Sequence, residues 1–191
     1  MKAELIRKSI HILIALVPCL AALNRSHTAL LLMGGVLFFA GLEFLRFAGF
    51  SPPLVSSVTR AVIRKREEGR FALGPVTLGL GALLALLLFP PRAAALAVFA
   101  LAFGDSAATL AGRFLGRTRP ALMAGKSVEG SLACFAAVAA AGFFVFQNWR
   151  PALAVALVSM VAEALPIGEF DNLLLPLAAG LVSWIFLAAL A

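Results

Sequence analysis

What this sequence lacks narrows it first. Only 13% of its 191 residues are charged, against 62% hydrophobic, and the mean hydropathy is +1.02. Soluble domains carry about 25% charged and about 45–50% apolar residues, so an ordinary soluble domain is excluded. No hydrophilic block is long enough to form a separate domain, and residues 1–191 read as a single transmembrane bundle. Cysteine is scarce: Cys19 and Cys134 lie in apolar runs without metal-ligand spacing and read as packed thiols. Acidic residues are few, nine against sixteen basic, for a net charge of +7. That excess does not imply nucleic acid, because the basic residues sit in short loops between apolar runs, where they set topology and meet anionic headgroups. There is no internal repeat and no alternation of short strands as a barrel requires. No A-x-A-like cleavage site follows the first apolar run, so the first helix is read as retained.

What is present is a series of apolar runs of about 15 to 22 residues, each near the length that spans a hydrocarbon core of about 30 Å. They fall at 10–23, 28–46, 73–89, 93–115, 131–146, 152–165 and 173–190. A helix satisfies its own backbone within one segment, so the runs predict an all-α, polytopic integral membrane protein with about seven transmembrane helices. The first and sixth are short and need flanking residues or local thinning to span. Trp149 and Trp184 fall near predicted helix ends, where interfacial anchors sit. With the N terminus inside, the inner side takes Lys2, Arg7, Lys8, Arg46, Arg60, Arg64, Lys65, Arg66, Arg70, Arg113, Arg117, Arg119 and Lys126. The outer side takes only Arg25, Arg92 and Arg150, so the positive-inside rule predicts N-in/C-out topology. The long loop 49–70 is then internal. Its R-A-V-I-R-K-R-E-E-G-R core reads either as a short helix on the headgroups or as a solvated, topology-setting loop.

Against this background the stretch 104–130, G-D-S-A-A-T-L-A-G-R-F-L-G-R-T-R-P-A-L-M-A-G-K-S-V-E-G, stands out. An ionisable group inside a membrane segment is costly and is a functional hypothesis by default. Asp105 lies halfway along the fourth run, with Thr109, Gly112 and Gly116 after it on one helical face. Ala108, Gly112 and Gly116 also make a small-xxx-small ridge that admits a close neighbour. Asp105 is either a functional acid or a structural one paired with Arg113. G-K-S at 125–127 is not a P-loop, since position 120 is Pro where that motif needs Gly, and no strand precedes it. Lys126 and Ser127 still stand at a helix start near Val128, where the positive dipole end suits phosphate. A plain topology-setting lysine is the alternative.

A third cluster, V-A-E-A-L-P-I-G-E-F-D-N-L-L-L-P-L at 161–177, puts Glu163 in the last turn of the sixth helix, where an anion is disfavoured. Asp171 and Asn172 open the seventh, as caps or as site residues. Asp105, Glu129, Glu163 and Asp171 are expected to converge on the inner side, with Arg113 and Lys126 among them. Carboxylates there suit Mg²⁺ and basic groups suit phosphate oxygens, as phosphoryl transfer requires. In the first helix Glu4, Arg7, Lys8 and His11 form one stripe. His11, inside an apolar run, is either a hydrogen-bonded packing residue or a functional one. Glu43 and Arg46 read as a local pair or as rim residues.

Four of these segments together resemble the CTP-dependent lipid kinases: dolichol kinase, phytol kinase and the CTP-using diacylglycerol kinase. The segments are E-L-I-R-K-S-I-H (4–11), G-D-S-A-A-T-L-A-G-R-F-L-G-R (104–117), G-K-S-V-E-G-S-L (125–132) and E-A-L-P…F-D-N-L-L-L-P-L (163–177). The likeness runs from the first helix to the last. It implies transfer of the γ-phosphoryl group of CTP, with Mg²⁺, to the hydroxyl of a membrane lipid at the cytoplasmic face of the cell membrane. The acceptor would be an isoprenoid alcohol (phytol, geranylgeraniol or a polyprenol) or diacylglycerol. The resemblance gives the catalytic roles to Asp105, Lys126 and Glu163. It gives phosphate contacts to Lys126, Arg113, Ser127, Arg7 and Lys8, and metal contacts to Asp105, Glu129, Glu163 and Asp171. Glu129 supports either its loop or the metal, and His11, Thr109 and Asn172 complete the surroundings. Asp105 is the first candidate to accept the alcohol's proton.

Phosphatidate cytidylyltransferases are a more distant likeness, sharing a G-D and a K-x-x-E-G element. Where they carry a signature rich in Lys, Arg, Asp, His and Gly, this chain reads A-E-A-L-P-I-G-E-F-D-N, which favours a kinase. The length suits the phytol-kinase-like or small prokaryotic polyprenol-kinase branch. A small membrane transporter, with Asp105 and Glu163 as intramembrane sites, is the alternative from another class. It expects charge towards both faces, whereas these residues gather at one.

Overall fold

The computed structural model describes residues 2–50 and 71–189, with side chains from residue 7 onward. The basic core of the loop 49–70 therefore lies outside the described residues, as does the side chain of Glu4. Among the described residues every regular element is helical and there is no strand. The chain opens with α1 (Lys2–Leu13) and α2 (Val17–Leu23), joined by a 3₁₀ turn at Ile14–Leu16. Pro18 accounts for the interruption, since it has no N–H to give and its ring crowds the carbonyl four residues back, that of Ile14. Asn24 then caps α3 (Arg25–Phe47), its side chain accepting the His27 N–H at 2.9 Å. Next come α4 (Leu73–Leu88) and α5 (Pro91–Phe99), which continues through a π-turn at Ala100–Gly104 into α6 (Asp105–Phe114). The remaining helices are α7 (Val128–Phe146), α8 (Trp149–Ala164) and α9 (Asp171–Ala189).

Among the described residues four helical stretches are long and apolar enough to cross a membrane: Arg25–Phe47, Pro91–Phe114, Val128–Phe146 and Gly168–Ala189. The other three expected runs also lie in helix but fall short of that length. Helices α4 and α8 have 16 residues each, about 24 Å at 1.5 Å per residue, and the first run is divided at Ile14.

Two apolar clusters hold the bundle. Leu78, Ala82 and Leu86 of α4 pack with Ala94 and Val98 of α5, Leu101 and Val17. Leu96, Cys134, Val138, Val155, Ala156, Leu175 and Ala179 join α5, α7, α8 and α9. Cys134 is the packed thiol its run predicts. Cys19 is not: it is exposed, because the short α2 buries only Val17.

Small residues let helices meet at the level of the site. A Cβ on Gly130 would come within 2.7 Å of the Ala108 carbonyl oxygen, so α6 and α7 touch backbone to backbone along the ridge expected from the sequence. On the other side α9 lies against α4 at Gly81, where a Cβ would stand 2.1 Å from the Asn172 carbonyl oxygen. That carbonyl lacks its helical donor because the residue four along is Pro176. One helix end is thus held close to α4 by a missing N–H and a missing side chain.

Candidate functional site

Four chain segments bring their ionisable residues to one end of the bundle: α1, the start of α6, the loop between α6 and α7, and the α8–α9 corner. Asp105 begins α6 directly after the π-turn. One extra residue in a helical turn re-aims the side chains beyond it, and such turns recur at functional positions. Here the turn presents Asp105 to α1. Lys8 Nζ donates to Asp105 Oδ2, and His11 Nδ1 lies 2.7 Å from the same oxygen. Lys8, 3% exposed, and His11 are both buried, so the acid is held by two groups from the stripe on the first helix. The alternative of a structural Asp105 paired with Arg113 is not formed. Eight residues separate them, about 12 Å along the helix, and Arg113 is exposed beyond Asp105's reach.

The loop after α6 carries Lys126. Pro120 leads into a 3₁₀ turn at Ala121–Met123, and two successive left-handed residues, Ala124 (φ 44°) and Gly125 (φ 91°), turn the chain back. Left-handed backbone is free of Cβ strain only at glycine, which gives Gly125 its purpose. Arg119 staples the turn to α6, donating to the Gly125 carbonyl and, at 2.7 Å, to the Gly112 carbonyl. Glu129 fixes the loop's other side, its Oε1 accepting the Thr118 N–H at 3.0 Å while Val128 N–H donates to Thr118 O at 3.0 Å. Ser127 caps α7 by accepting the Gly130 N–H at 3.1 Å.

Held in this way, Lys126 reaches the α8–α9 corner. Its Nζ donates to the Glu163 carbonyl and lies 3.5 Å from Glu163 Oε1 and 3.4 Å from Asp171 Oδ2. The cation offsets an anion at a helix C terminus that the helix dipole alone disfavours. Ser131 Oγ, one turn into α7, donates to Glu163 Oε2 at 3.0 Å. Asn172 does not act as a cap through its side chain. Its Nδ2 donates to Thr77 Oγ1 at 3.0 Å and to Gly74 O at 3.4 Å, tying α9 to α4. Glu43 and Arg46 form the local pair, at 2.6 Å, and Glu43 Oε1 also accepts the Ala72 N–H at 2.8 Å.

Two cavities open among these groups. The larger, about 740 Å³, is polar and holds Arg7, Asp105, Thr109, Arg113, Arg119, Lys126, Ser127, Glu163 and Asp171 on its walls, floored by Gly112, Gly125 and Gly130. The smaller, about 210 Å³, is mostly apolar. Ile10, Phe39, Ala72, Pro75 and Leu78 line it together with Lys8, His11, Glu169 and Asn172. Arg7, Asp105 and Asp171 line both.

Of the residues singled out in the sequence, the structure therefore gathers Arg7, Asp105, Thr109, Arg113, Lys126, Ser127, Glu163 and Asp171 around one space. Lys8, His11 and Asn172 lie on the apolar side of the same wall, while Glu129 is turned into its own loop. The expected convergence of four carboxylates on a metal is not formed. Among the described residues no group of three or more His, Cys, Asp and Glu side chains is placed to hold a metal ion. Glu129 is held by Thr118, and Asp105 is covered by Lys8 and His11.

Four neighbours escape a reading of the sequence: Arg119, Ser131, Thr77 and Glu169. Ser131 carries a signal, since it stands four residues after Ser127 on the same face of α7. Arg119 is hidden in a basic loop that topology alone explains. No family model, no curated protein and no solved structure matches this chain.

Proposed function

We propose that this chain is an integral membrane phosphotransferase that moves the γ-phosphoryl group of CTP to the hydroxyl of a membrane lipid alcohol. Seven helices would cross the cell membrane, N-in/C-out, with the polar cavity at the cytoplasmic face where nucleotide is available. The observation that carries this reading is the shared wall. A polar cavity of about 740 Å³, rich in Arg and Lys, meets an apolar cavity of about 210 Å³ at Arg7, Asp105 and Asp171. A water-soluble anionic donor and an apolar acceptor need that juxtaposition, and phosphoryl transfer needs positioning and charge more than covalent chemistry from the protein.

In this reading the triphosphate lies in the polar cavity. Lys126 grips phosphate oxygens from the loop, and Arg113 and Arg7 neutralise charge from opposite sides. CTP arrives as its Mg²⁺ complex, and a nucleotide-bound Mg²⁺ needs only one or two carboxylates, the rest of its shell being phosphate and water. Glu163 and Asp171, each within 3.5 Å of Lys126 Nζ, fit that demand although no larger cluster is present among the described residues. The ion would draw electron density from the phosphate oxygens. Asp105, at the wall, orders Lys8 and His11 towards the acceptor side. The choice of CTP, and of an isoprenoid alcohol or diacylglycerol as acceptor, rests on the motif resemblance.

The test uses purified protein in lipid micelles with Mg²⁺, CTP and a panel of phytol, geranylgeraniol, a polyprenol and diacylglycerol. Label on the γ phosphate is expected in the lipid. Label from the α phosphate with release of pyrophosphate would replace this reading by cytidylyl transfer. No label from either position would sink both.

A further inference from the structure

The small cavity narrows what the acceptor can be, and this step rests on the phosphotransferase reading. It lies between two packed units: α1 against the π-turn and α6 on one side, and α3 against α4 on the other. Five of its wall residues, Ile10, Phe39, Ala72, Pro75 and Leu78, are apolar. Ile10 of α1 is 38% exposed and Phe39 of α3 half-buried, so the cavity's apolar wall reaches the surface at these two helices. The surrounding faces of those helices are apolar and exposed as well, with Ile12, Leu13, Leu37 and Phe38 uncovered. A mouth of this composition opens to hydrocarbon, not to water.

Volume sets the second constraint. A water takes about 30 Å³ in the liquid and a methylene about as much, so the 210 Å³ space holds about seven carbons. Lys8, His11 and Asp105, which contact one another, line the same space and in this reading meet the hydroxyl.

We propose that this cavity takes a single-chain primary alcohol sideways from the bilayer, enclosing only its hydroxyl and first several carbons while the rest of the chain stays in lipid. Phe39 is then a specificity-determining residue at the mouth. Diacylglycerol is excluded as a good substrate, because its two ester-linked chains diverge within three atoms of the free hydroxyl and do not fit a space for one. In the reaction the alcohol oxygen bonds to the γ phosphorus and the bond from that phosphorus to the β-bridging oxygen breaks. The nucleoside diphosphate leaves with the electron pair, and the alcohol's proton passes to solvent through the polar cavity.

Two measurements test it. In mixed micelles, with acceptor expressed as mole fraction, kcat/KM should vary less than about threefold from geraniol through farnesol and geranylgeraniol to a 55-carbon polyprenol, because buried area stops growing once the cavity is full. Diacylglycerol should be at least about tenfold poorer. Phe39→Trp and, separately, Ile10→Trp should each raise the acceptor KM about tenfold for every chain length and leave the CTP KM within about twofold, which also reports a folded donor site. A steady rise in kcat/KM beyond tenfold with chain length would overturn the proposal, as would preference for diacylglycerol or unchanged acceptor KM in both tryptophan variants. Those results leave phosphoryl transfer itself standing. Failure of every alcohol to take label would instead remove the phosphotransferase reading, and this inference with it.

Discussion

The two ends of the bundle use the same residue types for different work. At one end the helices are joined by short connections that are finished locally. Asn24 and Asn148 cap α3 and α8. Phe143 stacks on Trp149 with centroids 4.3 Å apart, and Phe89 meets Trp184 edge-on at 6.3 Å. Of the arginines there, Arg25 donates to the carbonyls of Leu86 and Phe89 at the C terminus of α4. The polar contacts among these each complete a helix end, and the ring pairs pack neighbouring helices together. At the other end Arg7, Arg113 and Lys126 face a cavity far larger than any cap needs, Lys126 meets Glu163 and Asp171 from another corner of the chain, and Asp105 beside that cavity is held by Lys8 from α1. A charge that satisfies a helix end is structural. A charge held beside an open space by residues nearly a hundred positions away is arranged for something that enters that space.

That contrast can be broken by mutation, and the largest effect is expected at Asp105. Asp105→Asn removes the countercharge from buried Lys8 and the carboxylate oxygen beside His11 Nδ1. Removing one partner of a buried ion pair typically costs about 3–5 kcal/mol, because the other charge stays behind unpaired. Thermal unfolding in detergent should show a loss of that order together with loss of transfer activity. Adding Lys8→Met should return most of the stability and none of the activity. Recovery of both would make Asp105 a structural acid only.

Lys126→Met comes next. Its side chain is 23% exposed and its carboxylate neighbour Glu163 keeps the Ser131 hydrogen bond, so the unfolding midpoint should move less than for Asp105→Asn. Transfer should fall by about three orders of magnitude, the scale set by removing one positioned cation from a phosphoryl-transfer site. A fall of less than about tenfold in kcat/KM would return Lys126 to the role of a topology-setting lysine.

The legible part of this molecule is what local pattern determines. Apolar runs place the helices, because hydropathy at that length leaves few other structures in lipid. The start of α7 at Val128 is readable from the serine and glutamate around it, and the Ala108–Gly112–Gly116 ridge from its spacing. The partner of Asp105 is not readable. Arg113 is the basic residue that shares its helix, yet the π-turn before Asp105 and the packing of α1 give it Lys8 and His11 instead. A π-turn leaves no period in the sequence, since tertiary contact decides where the extra residue goes. Asn172 is hidden for a related reason: a residue at a helix start is by default a cap, and only the closeness of α4 at Gly81 makes Thr77 its acceptor. Metal convergence fails at Glu129, whose own loop supplies a backbone N–H nearer than any ion site.

The smallest effect is expected at Arg25, and it sharpens the comparison most directly. Arg25 stands at the start of α3, yet its guanidinium serves α4, where the carbonyls of Leu86 and Phe89 have no helical donor ahead of them. Arg25→Met keeps the aliphatic stem and removes the donors, leaving two carbonyls at the end of α4 to find water. Hydrogen bonds from a charged donor contribute about 1.5–3 kcal/mol each when their loss leaves a partner unsatisfied, but this side chain is only half-buried and water can replace part of it. The net cost should be about 1–2 kcal/mol, read as a modest drop in the unfolding midpoint. The KM values for CTP and for the alcohol should both stay within about twofold, because no atom of Arg25 lines either cavity. If Arg25→Met instead raised the acceptor KM as Phe39→Trp is expected to, the two ends would be coupled through α4, whose first turns carry Gly74, Pro75 and Leu78 of the smaller cavity and whose last turn Arg25 holds. A midpoint shift with unchanged KM values would confine the chemistry to one end and leave the other as scaffold.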